Sequence, residues 1–325
     1  MRKVRDWGGA FHFIVAAQIE VGDVQSQLSF RDLMLALLVI LVWGINFAVI
    51  RIGLNSLPPL LFASLRFTFV LLPMAFFLPR PKVSWTNLAL YGLAIGLGQF
   101  GLLFIAMDGM ISPGLASLVI QMQAFFTVAL SMVRSNERLK SYQLMAFALA
   151  LVGMGVIVAH NGKGATILGL VLTLGAAASW ALANQASKEA GKVNALAYVV
   201  WASMFSVPPL YLLSLWREGW PAMVSGVSHA GWSTWAVILY QSAGNTMFGY
   251  GVWAWLHARY PAATVAPLSL LVPVVGFAAS ALILGEPLQV WKIGAGVLVL
   301  AGLAVNLLWG RRDQIVKRPR IASTT

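Results

Sequence analysis

Leu33-Met-Leu-Ala-Leu-Leu-Val-Ile-Leu-Val-Trp43-Gly-Ile-Asn46-Phe-Ala-Val-Ile-Arg51-Ile-Gly53 runs for 21 residues with one charge, placed near its end. A helix crossing a membrane needs about 20 mostly apolar residues, because each rises about 1.5 Å and the hydrocarbon layer is about 30 Å thick. Nine more stretches of this kind follow, at 60–78, 88–107, 113–133, 142–159, 166–187, 195–215, 234–256, 262–284 and 291–309. Short connectors carrying Pro58-Pro59, Pro79-Arg80-Pro81, Ser112-Pro113, Asn161-Gly162 and Pro261 separate most of them. The longest connector, 216–233, is rich in Trp, Gly and Ser and suits the membrane–water interface. The expected fold is an all-α membrane protein of ten transmembrane helices.

Composition agrees. Apolar residues make up 59% of the chain and charged residues 10%, too little charge to cover a soluble surface of this size. The net charge of +12 could suggest nucleic acid, but the basic residues sit in loops and tails. With the N-terminus in the cytoplasm, seventeen Lys and Arg fall on that side and four on the other. This bias sets orientation in a multi-pass inner-membrane protein with both termini cytoplasmic, and no nucleic-acid partner is expected. Residues 1–32 form an N-terminal extension, read as amphipathic or disordered, and 310–325 a basic cytoplasmic tail.

The chain also reads as two halves, 33–159 and 160–309. Trp43 precedes Asn46 as Trp180 precedes Asn184, and Asn136-Glu137-Arg138-Leu139 echoes Glu286-Pro287-Leu288 one helix before each half ends. Five helices is an odd number, so a second copy must run in the opposite sense. Inverted repeats of this kind typify secondary transporters, with substrate near the midplane between the copies.

The polar residues within the spans indicate the site. No acidic residue lies at mid-membrane on these spans, and the four histidines fall outside them or near their ends. An intramembrane carboxylate is the usual partner of a cationic substrate, so this pattern favours neutral or zwitterionic ones. There is no cysteine, no clustered ligand set for a metal and no Gly-rich phosphate loop. No cofactor, catalytic group or resident metal is expected. Asn46, Gln99, Gln121, Gln123, Asn184, Gln241 and Asn245 fall inside spans. Unpaired amides are costly in hydrocarbon, so these should meet one another or a polar cavity. Gln121 and Gln123 are two apart on a helix, so only one is expected to face it. Trp43, Trp180, Tyr240, Tyr250 and Trp253 add aromatic faces. Arg66, the charge clearly inside a span, reads first as structural and second as an anchor for a substrate carboxylate. Pro267 and Pro273 should kink or break the ninth helix. Glu137 and Glu286, at helix junctions, should serve the first turns of the helices that follow them.

The segments Leu41-Val-Trp-Gly-Ile-Asn-Phe-Ala-Val-Ile-Arg51, Pro58-Pro-Leu-Leu-Phe-Ala-Ser-Leu-Arg66-Phe67, Gly114-Leu-Ala-Ser-Leu-Val-Ile-Gln-Met-Gln-Ala-Phe-Phe126 and Val265-Ala-Pro-Leu-Ser-Leu-Leu-Val-Pro-Val-Val-Gly276 resemble the EamA family of the drug/metabolite transporter superfamily. The match looks closest to the bacterial O-acetylserine/cysteine exporters. The resemblance spans residues 33 to 309. It departs at Asn136, where the family usually has glycine, and in the N-terminal extension. It implies ten helices in two inverted repeats and a cavity bordered by helices 1, 3, 4, 6, 8 and 9. It carries over Asn46, Gln99, Gln121 or Gln123, Trp180, Asn184, Asn245 and Tyr250 as lining residues, and implies export of small amino-acid metabolites by alternating access. An aromatic amino-acid or drug exporter on the same fold is the alternative. The expected partners are a small-molecule substrate and the bilayer, in a monomer or a dimer.

Overall fold

The computed structural model describes residues 28–135 and 140–316, and its regular structure is helical apart from one isolated bridge pair, Ile111 with Ala165. The extension up to residue 27, the junction with Asn136 and Glu137, and the tail from residue 317 lie outside the described residues.

Among the described residues the main helical segments group into ten rods. They are α1 Phe30–Leu54, α2 Pro59–Ala75, α3 Trp85–Met107, α4 Pro113–Val133, α5 Ser141–Ala159, α6 Ile167–Glu189 and α7 Ala195–Arg217, then α8 over 232–259, α9 Ala266–Leu284 and α10 Val290–Val316. Eight are long and apolar enough to cross a membrane. α2 is apolar but only 17 residues long. α8 is three helical segments of 8, 9 and 11 residues running on from one another, with Gln241, Ser242, Asn245 and Thr246 in the middle one. Large apolar side chains such as Phe76, Leu282 and Val297 are exposed on the outside of the bundle, as suits a surface that meets lipid.

The boundaries follow from local chemistry. Ser29 caps α1 by accepting the Asp32 N–H at 3.2 Å. Proline opens α2 and α4, where the missing N–H has no intrahelical partner to lose. Gly285, in the left-handed conformation at φ 68°, closes α9. The connector 216–233 holds a nine-residue helix, Trp220–Ser228. Gly219 at φ 83° turns the chain, and Pro221 falls in the helix's first turn.

The repeat is visible in packing. α5 lies along α10 and α2 along α7; α1 packs on α8 and α9, and α6 packs on α3 and α4. Exchanging each helix with the one five later maps this pattern onto itself. Local irregularities obey the same exchange. π-helical segments occupy Leu93–Gly101 in α3 and Tyr240–Phe248 in α8; 3-10 turns occupy Ile120–Met122 in α4 and Ala266–Leu270 at the start of α9. Pro267 sits in that last turn, while Pro273 is absorbed into the helix that follows.

The copies are inverted. Leu60 and Leu61, at the start of α2, donate their N–H groups to Glu218, just past the end of α7. Gly114, at the start of α4, donates to Glu286, just past the end of α9. So α2 runs opposite to α7, and α4 opposite to α9, its counterparts in the other half. The face where α1 begins, also where α8 ends, is called here the near face, and the opposite one the far face. At the near face the Tyr260 hydroxyl donates to Asp32, and Arg259 Nε lies 3.8 Å from the same carboxylate.

Candidate functional site

Between the halves lies a cavity of about 490 Å³, bordered by α1, α3, α4, α6, α7, α8 and α9. Ser187 in the last turn of α6, Ala195 at the start of α7, His257 near the end of α8 and Ala266 at the start of α9 line it, all at the near face. Phe47, Leu103 and Ile120 line its deepest part and stop short of the far face. Among the described residues the lining therefore reaches the near face.

A close helix crossing lies beyond the lining on the far side. A Cβ on Gly276 of α9 would fall 2.5 Å from the Ser117 hydroxyl of α4, which is three residues nearer the far end of α4 than the lining residue Ile120. Carboxylates lie on that side too. Glu218 accepts Leu60 N–H at 2.6 Å, Leu61 N–H at 3.0 Å and the Ser214 hydroxyl at 2.6 Å. Glu286 accepts the Ser112 hydroxyl at 2.5 Å and Gly114 N–H at 3.1 Å, and pairs with Lys292 at 2.8 Å. Each acid sits at the exposed backbone donors of a helix N-terminus, where negative charge is favoured. This corrects the expectation for Glu286. It caps α4 of the other half rather than the first turn of α10, to which it is tied through Lys292. Glu218 carried no signal in the sequence beyond being an acid near a helix end.

Asn46, Gln99, Gln121, Gln123, Trp180, Asn184, Asn245, Tyr250 and Trp43 all border the cavity. Gln121 and Gln123 both do so, contrary to the helical-spacing argument. The 3-10 turn at Ile120–Met122 advances about 120° per residue rather than 100°, bringing the two side chains closer around the axis. The Asn184 amide donates to Gln123 Oε1 at 2.9 Å and lies 3.4 Å from the Thr127 hydroxyl. Trp43 donates to the Asn245 carbonyl at 3.2 Å and packs on Tyr250 and Trp253, with ring centroids 5.6 and 5.1 Å away. Asn46 Oδ1 and Gln99 Oε1 are buried without a donor.

Two predicted residues turn elsewhere. Tyr240 donates to the Val42 carbonyl at 2.7 Å. Gln241 lies off the cavity lining, with its Oε1 accepting from Arg66 NH1 at 3.0 Å. Arg66 is fully buried. Its NH2 donates to Thr246 at 2.9 Å, and its guanidinium covers the Phe100 ring at 3.6 Å. Sequence reasoning missed Tyr91 and Tyr198, which line the cavity with ring centroids 4.7 Å apart. Their hydroxyls inside spans were the available signal.

A bundle of spanning helices, folded as two inverted repeats about a polar cavity, is the build of a secondary transporter. The chain belongs to the EamA-like transporter family, whose model matches residues 31–159 and 167–308. It is 44% identical over 286 residues to a "Probable amino-acid metabolite efflux pump" of Salmonella typhimurium, covering 86% of this chain and 96% of that one. It is 41% identical over 296 residues to a protein of the same description from Escherichia coli, covering 89% and 99%. A "Probable terminal-alkyne amino-acid exporter" of Streptantibioticus cattleyicolor is 27% identical over 298 residues, covering 88% and 95%. A crystal structure at 18% identity, covering 87% of this chain and 99% of that one with a TM-score of 0.57, shares the fold.

Proposed function

We propose that the protein exports small amino-acid metabolites of the O-acetylserine/cysteine type across the bacterial inner membrane by alternating access, and that it is a transporter rather than a membrane-embedded enzyme. The observation that carries this reading is the cavity. It brings amides from α1, α3, α4, α6 and α8 to aromatic faces, and Asn46 Oδ1 and Gln99 Oε1 are left without donors. A ligand ammonium supplies donors to both oxygens and can rest on Trp43, Trp180 or Tyr250 by cation–π attraction. The relatives described as amino-acid metabolite efflux pumps support the substrate class. The lining residues that serve as the binding site are Asn46, Gln99, Gln121, Gln123, Trp180, Asn184, Asn245 and Tyr250. Gln241 belongs to their support through Arg66.

With the near face cytoplasmic, a placement the Lys and Arg bias supports, the cavity is loaded from inside, which suits export. The far face must open while the near face closes. Reporter fusions after Asn161 and after Ser228 should report a periplasmic site, and fusions at Ser141 and Thr325 a cytoplasmic one. A periplasmic C-terminus would reverse the direction of loading and overturn export. The substrate is tested directly in proteoliposomes. The protein should move O-acetylserine or cysteine at least about tenfold faster than protein-free vesicles. Transport of aromatic amino acids alone would instead support the aromatic-exporter reading, for which Trp43, Trp180 and Tyr250 would serve as stacking faces.

A further inference from the structure

Three charged residues are buried among the described ones: Asp32, Arg66 and Lys292. Asp32 faces Arg259, and Lys292 faces Glu286. Arg66 faces no acid among the described residues. Its partners are neutral, namely Gln241 Oε1, Thr246 Oγ1 and the Phe100 and Phe67 rings at 3.6 and 5.3 Å, and its Nε has no hydrogen-bond partner. Burying a cation without a counter-charge is costly, and neutral hydrogen bonds and two aromatic rings offset only part of that cost. A merely structural clasp between α2 and α8 needs the hydrogen bonds but not the charge.

The charge lies next to the cavity. Phe100, which the guanidinium covers, is itself a lining residue. Gln241 and Thr246, which hold the guanidinium, belong to the same π-helical segment as the lining residue Asn245. We infer that Arg66 is the specificity-determining charge of the cavity. Acting through the Phe100 ring, it selects substrates that carry a carboxylate and orients that carboxylate toward α2, with the ammonium toward Asn46 and Gln99. The inference rests on the proposed function and deepens it. It makes the substrates α-amino acids rather than amines. A ligand atom touching Phe100 from the cavity would lie roughly 7–8 Å from the guanidinium, one ring contact beyond the 3.6 Å of the guanidinium itself. At that distance, with an effective dielectric of about 20, one unit charge changes the affinity for a carboxylate by roughly thirtyfold. The ring does not block this field, because Coulomb attraction needs no contact.

The test is isosteric. Gln241→Glu keeps the acceptor of Arg66 NH1 in place and removes the unpartnered Gln241 amide nitrogen, but neutralises the guanidinium where it stands. Proteoliposomes are assayed with L-cysteine and with cysteamine, which lacks only the carboxylate. Wild type is expected to prefer cysteine at least about tenfold, and Gln241→Glu to lose most of that preference by slowing cysteine alone. Arg66→Lys should keep much of the preference and Arg66→Gln should lose it. A Gln241→Glu protein that is folded and keeps the wild-type ratio would overturn the inference, as would a wild type that moves cysteine and cysteamine equally. In both of those cases cysteine transport itself upholds the proposed function. A wild type that moves neither of these, nor O-acetylserine, overturns the proposed function instead, and the inference with it.

Discussion

Replacing Lys292 by methionine is expected to destabilise the folded protein by about 3–5 kcal/mol, the usual cost of stripping one partner from a buried ion pair. The Lys292 side chain is 3% exposed and that of Glu286 10%. Methionine fills much of the same volume, so the loss is electrostatic rather than a cavity effect. It would leave the Glu286 carboxylate with only the neutral donors of Ser112 and Gly114. The double variant Lys292→Met with Glu286→Gln should recover most of the stability, because no uncompensated charge then remains. Thermal unfolding of the four proteins in one detergent completes the cycle. A loss below about 1 kcal/mol would place this pair with exposed surface pairs and deny it a role in holding the far face. Glu286 also joins the two repeats through Ser112 and Gly114 toward the far face, so weakening its contacts should favour the outward-open state. The chain has no cysteine, so a single cysteine at Ile120, deep in the cavity, reports directly. In a Glu286→Gln background it should react faster with a thiol reagent supplied from the far face, by about tenfold. Unchanged labelling would separate the ion pair from the gate.

The spans were legible in the sequence because the bilayer imposes their length and polarity residue by residue. The helix Leu33–Gly53 can be read from hydropathy alone, and the observed α1 extends it by a turn at the start. The cavity amides were legible for the same reason: Asn46 or Gln99 in hydrocarbon demands a partner. Which way a polar side chain turns was less so, since it depends on atoms far away in the chain. Gln241 and Asn245 lie four apart on one helix, yet Gln241 is claimed by Arg66, 175 residues distant. Nothing at Ile120–Met122 signals the 3-10 turn that brings both Gln121 and Gln123 to the cavity. Glu286 was placed at its helix junction correctly, but its partners Ser112 and Gly114 lie in the other repeat. Pairing between inverted halves is a three-dimensional relation, and a linear reading assigns such an acid to its chain neighbours.

Asn46→Leu and Gln99→Met are expected to abolish most transport while leaving the protein as stable as before or more so. Each side chain buries an oxygen that receives no hydrogen bond, with 5% exposure for Asn46 and 3% for Gln99. An unsatisfied buried acceptor costs about 1–3 kcal/mol, and a similar-sized apolar group removes that cost. Folding alone gives these amides no advantage over leucine or methionine. If they accept hydrogen bonds from a substrate ammonium, each bond to that charged donor contributes about 1.5–3 kcal/mol, so removing one should lower transport roughly ten- to a hundredfold. The two readouts thus move in opposite directions. A purely structural amide would give the reverse pattern, because breaking an interhelical bond lowers stability and impairs transport only through loss of folded protein. Unfolding temperature and initial rate, measured on the same purified variants, decide between them. Transport within twofold of wild type, or a fall in stability matching the fall in rate, would remove Asn46 and Gln99 from the binding site.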